Sequence, residues 1–212
     1  MRIDYSLYLV TDRSLSLGRS TVEIVGQAIK GGISCVQLRE KHCDTREFIE
    51  EARAVRHLLT QKSPRIPLII NDRLDVALAV GADGIHLGQK DMELADARRL
   101  AGENLIIGIS AESVDDALRA EQQGADYIGI SPVYATPTKT DTATPLGLEG
   151  VSAIRAAVSL PLVGIGGIGL TNAAAVIQAG ADGIAVVSAI VSATCPQTAA
   201  QQLRQAITIS PS

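Results

Sequence analysis

Tryptophan is missing from this sequence, phenylalanine occurs once and tyrosine four times among 212 residues. A chain so poor in aromatics lacks the stacking platforms that hold single-stranded nucleic acid and the interfacial belts that anchor membrane proteins. A basic excess is missing too. Nineteen Lys and Arg against 23 Asp and Glu leave a formal charge of −4, so nothing gathers a phosphodiester backbone. Cysteine is scarce and odd in number: Cys35, Cys43 and Cys195 form no C-x-x-C and have no histidine at metal-ligand spacing, which fits free thiols in a reducing compartment. The opening MRIDYSLYLVTDR has neither the basic start nor the long apolar run of an export signal. The expectation is a cytoplasmic protein with no nucleic-acid or membrane partner. The charge-free run between Arg155 and Asp182 has the length to span a bilayer. Pro161, a Gly-rich centre and Thr171-Asn172 break it into a strand plus an amphipathic helix. His42, His57 and His86 form no H-x-H or H-E-x-x-H pattern and no serine sits in a G-x-S-x-G elbow, so zinc and hydrolase-triad chemistry lack their residues.

What is abundant is aliphatic: 46% of the residues are hydrophobic, enough to bury one large core. Short β-branched runs recur at 8–11, 34–38, 67–71, 84–88, 105–110, 126–131, 161–166 and 183–188. Between them, 21–30, 45–61, 74–80, 94–101, 113–123, 148–158, 172–179 and 197–207 carry apolar residues at helical spacing. Strict alternation of this kind implies parallel strands with right-handed crossovers. Eight units at roughly 26 residues each (212/8) suit a minimal (β/α)8 TIM barrel, a single domain over 1–212. An open doubly wound sheet is the alternative. Against it, the first β-to-α turn reads LVTDRSLS, with no Gly-rich phosphate fingerprint. The echo GGISCV, GADGIH, GADYIG and GADGIA places glycine where each helix ends, the position that favours a left-handed residue.

Parallel barrels do chemistry at the carboxyl ends of their strands, and the polar residues cluster there. Alternation puts Gln37, Arg39 and Lys41 on the inner side of strand two, with Val36 and Leu38 outward. Two inward cations need an anion, and either a ligand or an internal pair with Asp72 supplies it. Asn71-Asp72 ends strand three and Asp91 follows strand four, so two carboxylates from neighbouring strands can meet at the mouth. Such a pair suits Mg²⁺ shared with phosphate oxygens; helix caps and solvated loop residues also look like this. A glycosidase pair is disfavoured, because cations this close depress carboxyl pKa values. After strand six, SPVYATPTKTDTATPLGLEG offers Thr136, Thr138 and Lys139 on a long loop, a binding segment or a plain solvated one. Gly166-Gly167 after strand seven and Ser188 at the close of strand eight make a monophosphate cradle. His86 faces the interior as a hydrogen-bonded structural histidine.

The stretches QLREK (37–41), NDRLDVALAVGADGIHLGQKD (71–91), GIS (108–110), GADYIGISPVYATPTK (124–139), VGIGGI (163–168) and GADGIAVVSAI (180–190) together resemble, in order, the thiamine phosphate synthase family. Ile130-Ser131-Pro132 and Tyr134-Ala135 depart from the family's frequent forms without removing a ligand. The resemblance implies transfer of a pyrimidinylmethyl group from hydroxymethylpyrimidine diphosphate to a thiazole phosphate, usually carboxylated, with release of diphosphate. It assigns Gln37, Leu38, Arg39, Glu40, Lys41, Asn71, Ser110 and Lys139 to the pyrimidine diphosphate, with Arg39, Lys41, Ser110 and Lys139 as the catalytic set. Asp72 and Asp91 fall to Mg²⁺, and Thr136, Pro137, Thr138, Gly167, Val187 and Ser188 to the thiazole phosphate. Two readings stay beside it: the related thiazole tautomerase, and a non-catalytic barrel that senses a phosphorylated metabolite. Oligomerisation with like chains stays open.

Overall fold

A strand of four aliphatic residues cannot stand alone; it needs a paired neighbour on each edge and a helix over its outer face. The computed structural model describes residues 3–61, 66–136 and 144–208, in which eight parallel strands close on themselves in sequence order. The order of elements is β1 (Leu7–Val10), α1 (Thr21–Lys30), β2 (Cys35–Leu38), α2 (Thr45–Thr60), β3 (Leu68–Asn71), α3 (Leu74–Val80), β4 (Gly84–Leu87) and α4 (Leu94–Ala101). It continues with β5 (Ile106–Ala111), α5 (Val114–Gln122), β6 (Tyr127–Ile130), α6 (Gly147–Ala157), β7 (Leu162–Ile165), α7 (Ala173–Gln178), β8 (Gly183–Val186), α8 (Ser188–Val191) and α9 (Pro196–Thr208). Tyr8 opposite Ala185 seals the barrel between β1 and β8.

Every strand read from the sequence is present, and the helices fall where the periodicity put them. Serine caps start two of them: Ser20 Oγ accepts the Glu23 N–H and Ser113 Oγ the Asp116 N–H, each relieving an orphan donor of a first turn. One element differs. Val187-Ser188 was expected to finish the eighth strand, but Ser188 opens the short helix α8. Four residues are too few to show a helical period.

Strand parity divides the apolar residues into two cores. Leu7, Leu9, Val36, Leu38, Ile70 and Ile85 face the helices, as expected for Val36 and Leu38. The interior holds Tyr5, Tyr8, Cys35, Ile69, Tyr127 and Val163. Three of the four tyrosines thus fill the barrel, with the Tyr5 and Tyr127 ring centroids 4.6 Å apart.

At the rim where strands begin, the G-A-D echo has a second purpose. Its glycines Gly81, Gly124 and Gly180 have positive φ and let the helices end. Two residues on, Asp83, Asp126 and Asp182 each accept the backbone N–H of the preceding strand, from Leu68, Ile107 and Leu162 at 2.9, 2.7 and 2.8 Å. Each also pairs with an arginine from the helix that leads into that preceding strand: Arg56, Arg98 and Arg155. In the β1–β2 unit Ser34 Oγ takes the Leu7 N–H instead, at 3.0 Å. Strands are therefore latched in twos at the rim opposite the expected chemistry.

Candidate active site

The strand carboxyl ends surround a cavity of about 460 Å³. Gln37, Arg39, Lys41, Asn71, Asp72 and Asp91 line one side of it, and Thr136, Gly167, Val187 and Ser188 the other, with Ser110 between. Residues from seven strands and their loops are thus gathered at one mouth.

β2 delivers its polar residues as alternation demands. Gln37 is 5% exposed and donates from Nε2 to Tyr8 Oη at 3.1 Å. Arg39 gives Nη1 to Asp12 Oδ2 at 2.8 Å, and its backbone N–H to Thr11 Oγ1 at 3.0 Å. Lys41 pairs with Asp72 through Nζ and Oδ2. The two inward cations therefore have different carboxylate partners, both at the rim.

Asp72 has φ +59, a left-handed conformation that a short polar side chain tolerates. Its N–H donates to the His86 carbonyl at 2.9 Å, and Arg73 N–H turns back onto Asn71 O at 2.7 Å. This tight turn at the strand end carries the Asp72 carboxylate over to Asp91. Asp91 is fixed in turn by the Gly88 N–H, which donates to Oδ2 at 2.7 Å. Burial raises the Asp91 pKa above the usual carboxylate value, and the adjoining Asp72 carboxyl raises it further, while the Gly88 N–H and Lys41 oppose both. Two hard oxygen donors crowded together suit a divalent cation, and Mg²⁺ typically takes one or two protein carboxylates with water and phosphate completing the shell. No cluster of three or more His, Cys, Asp or Glu able to hold a metal occurs among the described residues, so a third protein carboxylate is not supplied there.

Asn71 is 8% exposed, lines the cavity and has a buried Nδ2 without a hydrogen-bond partner. An unmet donor of this kind is costly unless a ligand accepts from it. Ser110 Oγ lies 2.9 Å from His86 Nε2; the histidine is hydrogen-bonded inside the barrel, as expected.

On the opposite side Gly166 and Gly167 both have positive φ. A Cβ on Gly167 would stand 2.6 Å from Ala135 O, and one on Gly166 2.7 Å from Pro132 Cβ. The segment after β6 is seated on this turn, with Val133 N–H on Ile165 O and Tyr134 N–H on Gly166 O at 2.8 and 3.0 Å. Pro137, Thr138 and Lys139 lie outside the described residues. Leu38 and Glu40 are placed elsewhere: Leu38 is buried under the helices, and Glu40 points to Arg13, 3.6 Å away. Sequence reasoning passed over Tyr8 and Tyr127, which line the cavity floor. Their inward parity was the available signal.

Residues 7–190 match the family model described as thiamine monophosphate synthase. A thiamine-phosphate synthase of Chloroflexus aurantiacus is 53% identical over 208 residues, 98% of this chain and 95% of that relative. Another, from Moorella thermoacetica, is 48% identical and covers 96% of each chain. Among solved structures, thiamine phosphate pyrophosphorylase from Pyrococcus furiosus superposes with a TM-score of 0.89 at 41% identity, covering 97% of this chain and 96% of that one. A 3-hexulose-6-phosphate synthase, at 18% identity and TM-score 0.69, shares the fold. With a full-length match of this identity and a family model spanning all eight strands, the chain belongs to the thiamine monophosphate synthase family.

Proposed function

We propose that this mouth makes thiamine phosphate by transferring a pyrimidinylmethyl group from its diphosphate to a thiazole phosphate. The chain is a transferase acting on small molecules by its family and relatives; the assignment of parts within the cavity is our reading. The observation that carries it is the meeting of Lys41, Asn71, Asp72 and Asp91 on one wall, a cation, an unmet donor and two acids suited to one polyanion. The glycine turn and α8 on the other wall would take the monophosphate of the second substrate.

Asp72 and Asp91 would hold Mg²⁺, which when bound neutralises diphosphate charge. The chain's own residues do the rest. Lys41 and Asn71 bind the diphosphate oxygens, and Arg39 and Lys139 add positive charge where the leaving group gathers it. The C–O bond breaks with its electron pair going to diphosphate, and the thiazole nitrogen lone pair forms the new C–N bond. No proton transfer and no nucleophilic side chain is needed, so positioning and charge stabilisation carry the rate. With a carboxylated thiazole, the bond to the carboxylate also breaks: CO₂ leaves, the electron pair stays on the ring carbon, and a proton from water is taken up there.

One assay tests this: purified protein, pyrimidine diphosphate, thiazole phosphate and Mg²⁺, followed for diphosphate. Release that needs both substrates and the metal is expected. Isomerisation of the thiazole with no diphosphate would instead favour a tautomerase, and binding without turnover a sensor.

A further inference from the structure

Five side chains form an unbroken hydrogen-bonded path across the barrel interior. Gln37 Nε2 donates to Tyr8 Oη at 3.1 Å; the Tyr8 and Tyr127 hydroxyls are 3.0 Å apart; Tyr127 Oη is 2.9 Å from His86 Nδ1; and His86 Nε2 is 2.9 Å from Ser110 Oγ. All five line the cavity. The barrel makes room for the middle of the path. A Cβ on Gly108 would lie 2.1 Å from the Tyr127 ring, and one on Gly129 2.9 Å from His86 Cε1. Two inward strand positions are thus left without side chains where these rings sit.

The path has a direction. An amide nitrogen can only donate, so Tyr8 receives from Gln37 and must send its single proton onward. Its neighbours are the Tyr127 hydroxyl and the buried Cys35 sulfur, and sulfur is the weaker acceptor. Tyr127 then donates to His86 Nδ1, which leaves the imidazole proton on Nε2, facing Ser110 Oγ. Ser110 is left with its own proton for the cavity, and Gln37 with its amide oxygen. Burial keeps both phenols protonated, since it pushes their pKa values well up.

We infer that Tyr8 and Tyr127 are positioning residues, which through this path fix Gln37 as an acceptor and Ser110 as a donor toward the substrate. A flat heteroaromatic amine, with an amino donor beside a ring-nitrogen acceptor, is the chemistry that such an edge selects. The inference rests on the reading that Gln37 and Ser110 touch the pyrimidine.

Tyr127→Phe and Tyr8→Phe keep the rings and cut the path. Each is expected to raise KM for the pyrimidine diphosphate about tenfold and leave KM for the thiazole phosphate within about twofold, the size of one hydrogen bond. In a Ser110→Ala background, Tyr127→Phe should add less than about twofold, because both changes remove the same contact. In ¹⁵N NMR of the wild-type protein, His86 should show the neutral tautomer protonated on Nε2. Equal rises in both KM values, an unchanged pyrimidine KM, additive effects in the double variant, or a proton on Nδ1 would overturn the inference. Should either phenylalanine variant fail to fold, the wild-type tautomer decides. An unchanged pyrimidine KM in Ser110→Ala alone removes the underlying site assignment, and the inference with it.

Discussion

Lys41 and Asp72 face each other across the gap between β2 and β3, their ammonium and carboxylate in direct contact at the cavity rim. One acid oxygen set therefore meets the lysine beside it and, in the proposed reading, would also serve the metal shared with Asp91.

Removing either half separates the two services. Lys41→Ala is expected to lower turnover by about 10²–10³, the effect of losing one charge-stabilising donor in a closed site. Asp72→Asn should instead raise the Mg²⁺ concentration for half-maximal rate by about tenfold or more, since Mg²⁺ relies on ionised oxygen ligands. Initial rates against Mg²⁺ check both, and an unchanged metal requirement in Asp72→Asn counts against the metal assignment.

Lys139 comes from the motif SPVYATPTK alone, as it lies outside the described residues. Lys139→Ala should depress turnover by about 10²–10³ with an unchanged thermal midpoint. Wild-type turnover would take the lysine off the leaving group.

The latches at the far rim predict a stability effect with no kinetic one. Asp126 accepts from both Arg98 Nη2 and the Ile107 N–H at 2.7 Å. The arginine pair is partly solvent-exposed and contributes little, but a buried strand N–H without its charged acceptor costs about 1.5–3 kcal/mol. Asp126→Ala should shift urea unfolding by that amount while leaving both KM values alone, and Asp126→Asn should lose less.

Glu40 predicts a pH effect. Its side chain is 6% exposed, and burial raises its pKa from the usual 4.5, with Glu51 adding to the rise and Arg13 opposing it. A carboxyl whose folded pKa exceeds its unfolded one favours folding below the unfolded value and loses that contribution as pH rises through the folded pKa. The wild-type protein should therefore lose stability from this group as pH rises above about 4.5. Glu40→Gln should be the more stable protein at about pH 7, with the gap closing at about pH 4. Urea midpoints at both pH values decide it; a lower midpoint for the variant at neutral pH would refute the burial argument.

Strands and helices were legible because each element has a strong period and closed neighbours: Val36 and Leu38 could only face the helices once Gln37 faced in. The mouth was legible for the same reason, since parity and strand ends alone place Gln37, Asn71 and Ser110 together. Pairings were not. Whether Arg39 meets Asp12 or Asp72 depends on loop geometry that no period encodes, and Glu40, one residue from two inward cations, turns to Arg13 on the outside. The Asp83, Asp126 and Asp182 latches escaped notice because glycine explained the echo by itself, and a carboxylate two positions later looks like any surface acid.

Those latches give the two rims unequal duties. Closure is secured where strands begin, by a bolt on every second strand, so the loops at the other end need not hold the cylinder shut. They are left free to carry strained turns, crowded acids and an unmet amide, and to exchange them in descendants without the wall coming apart.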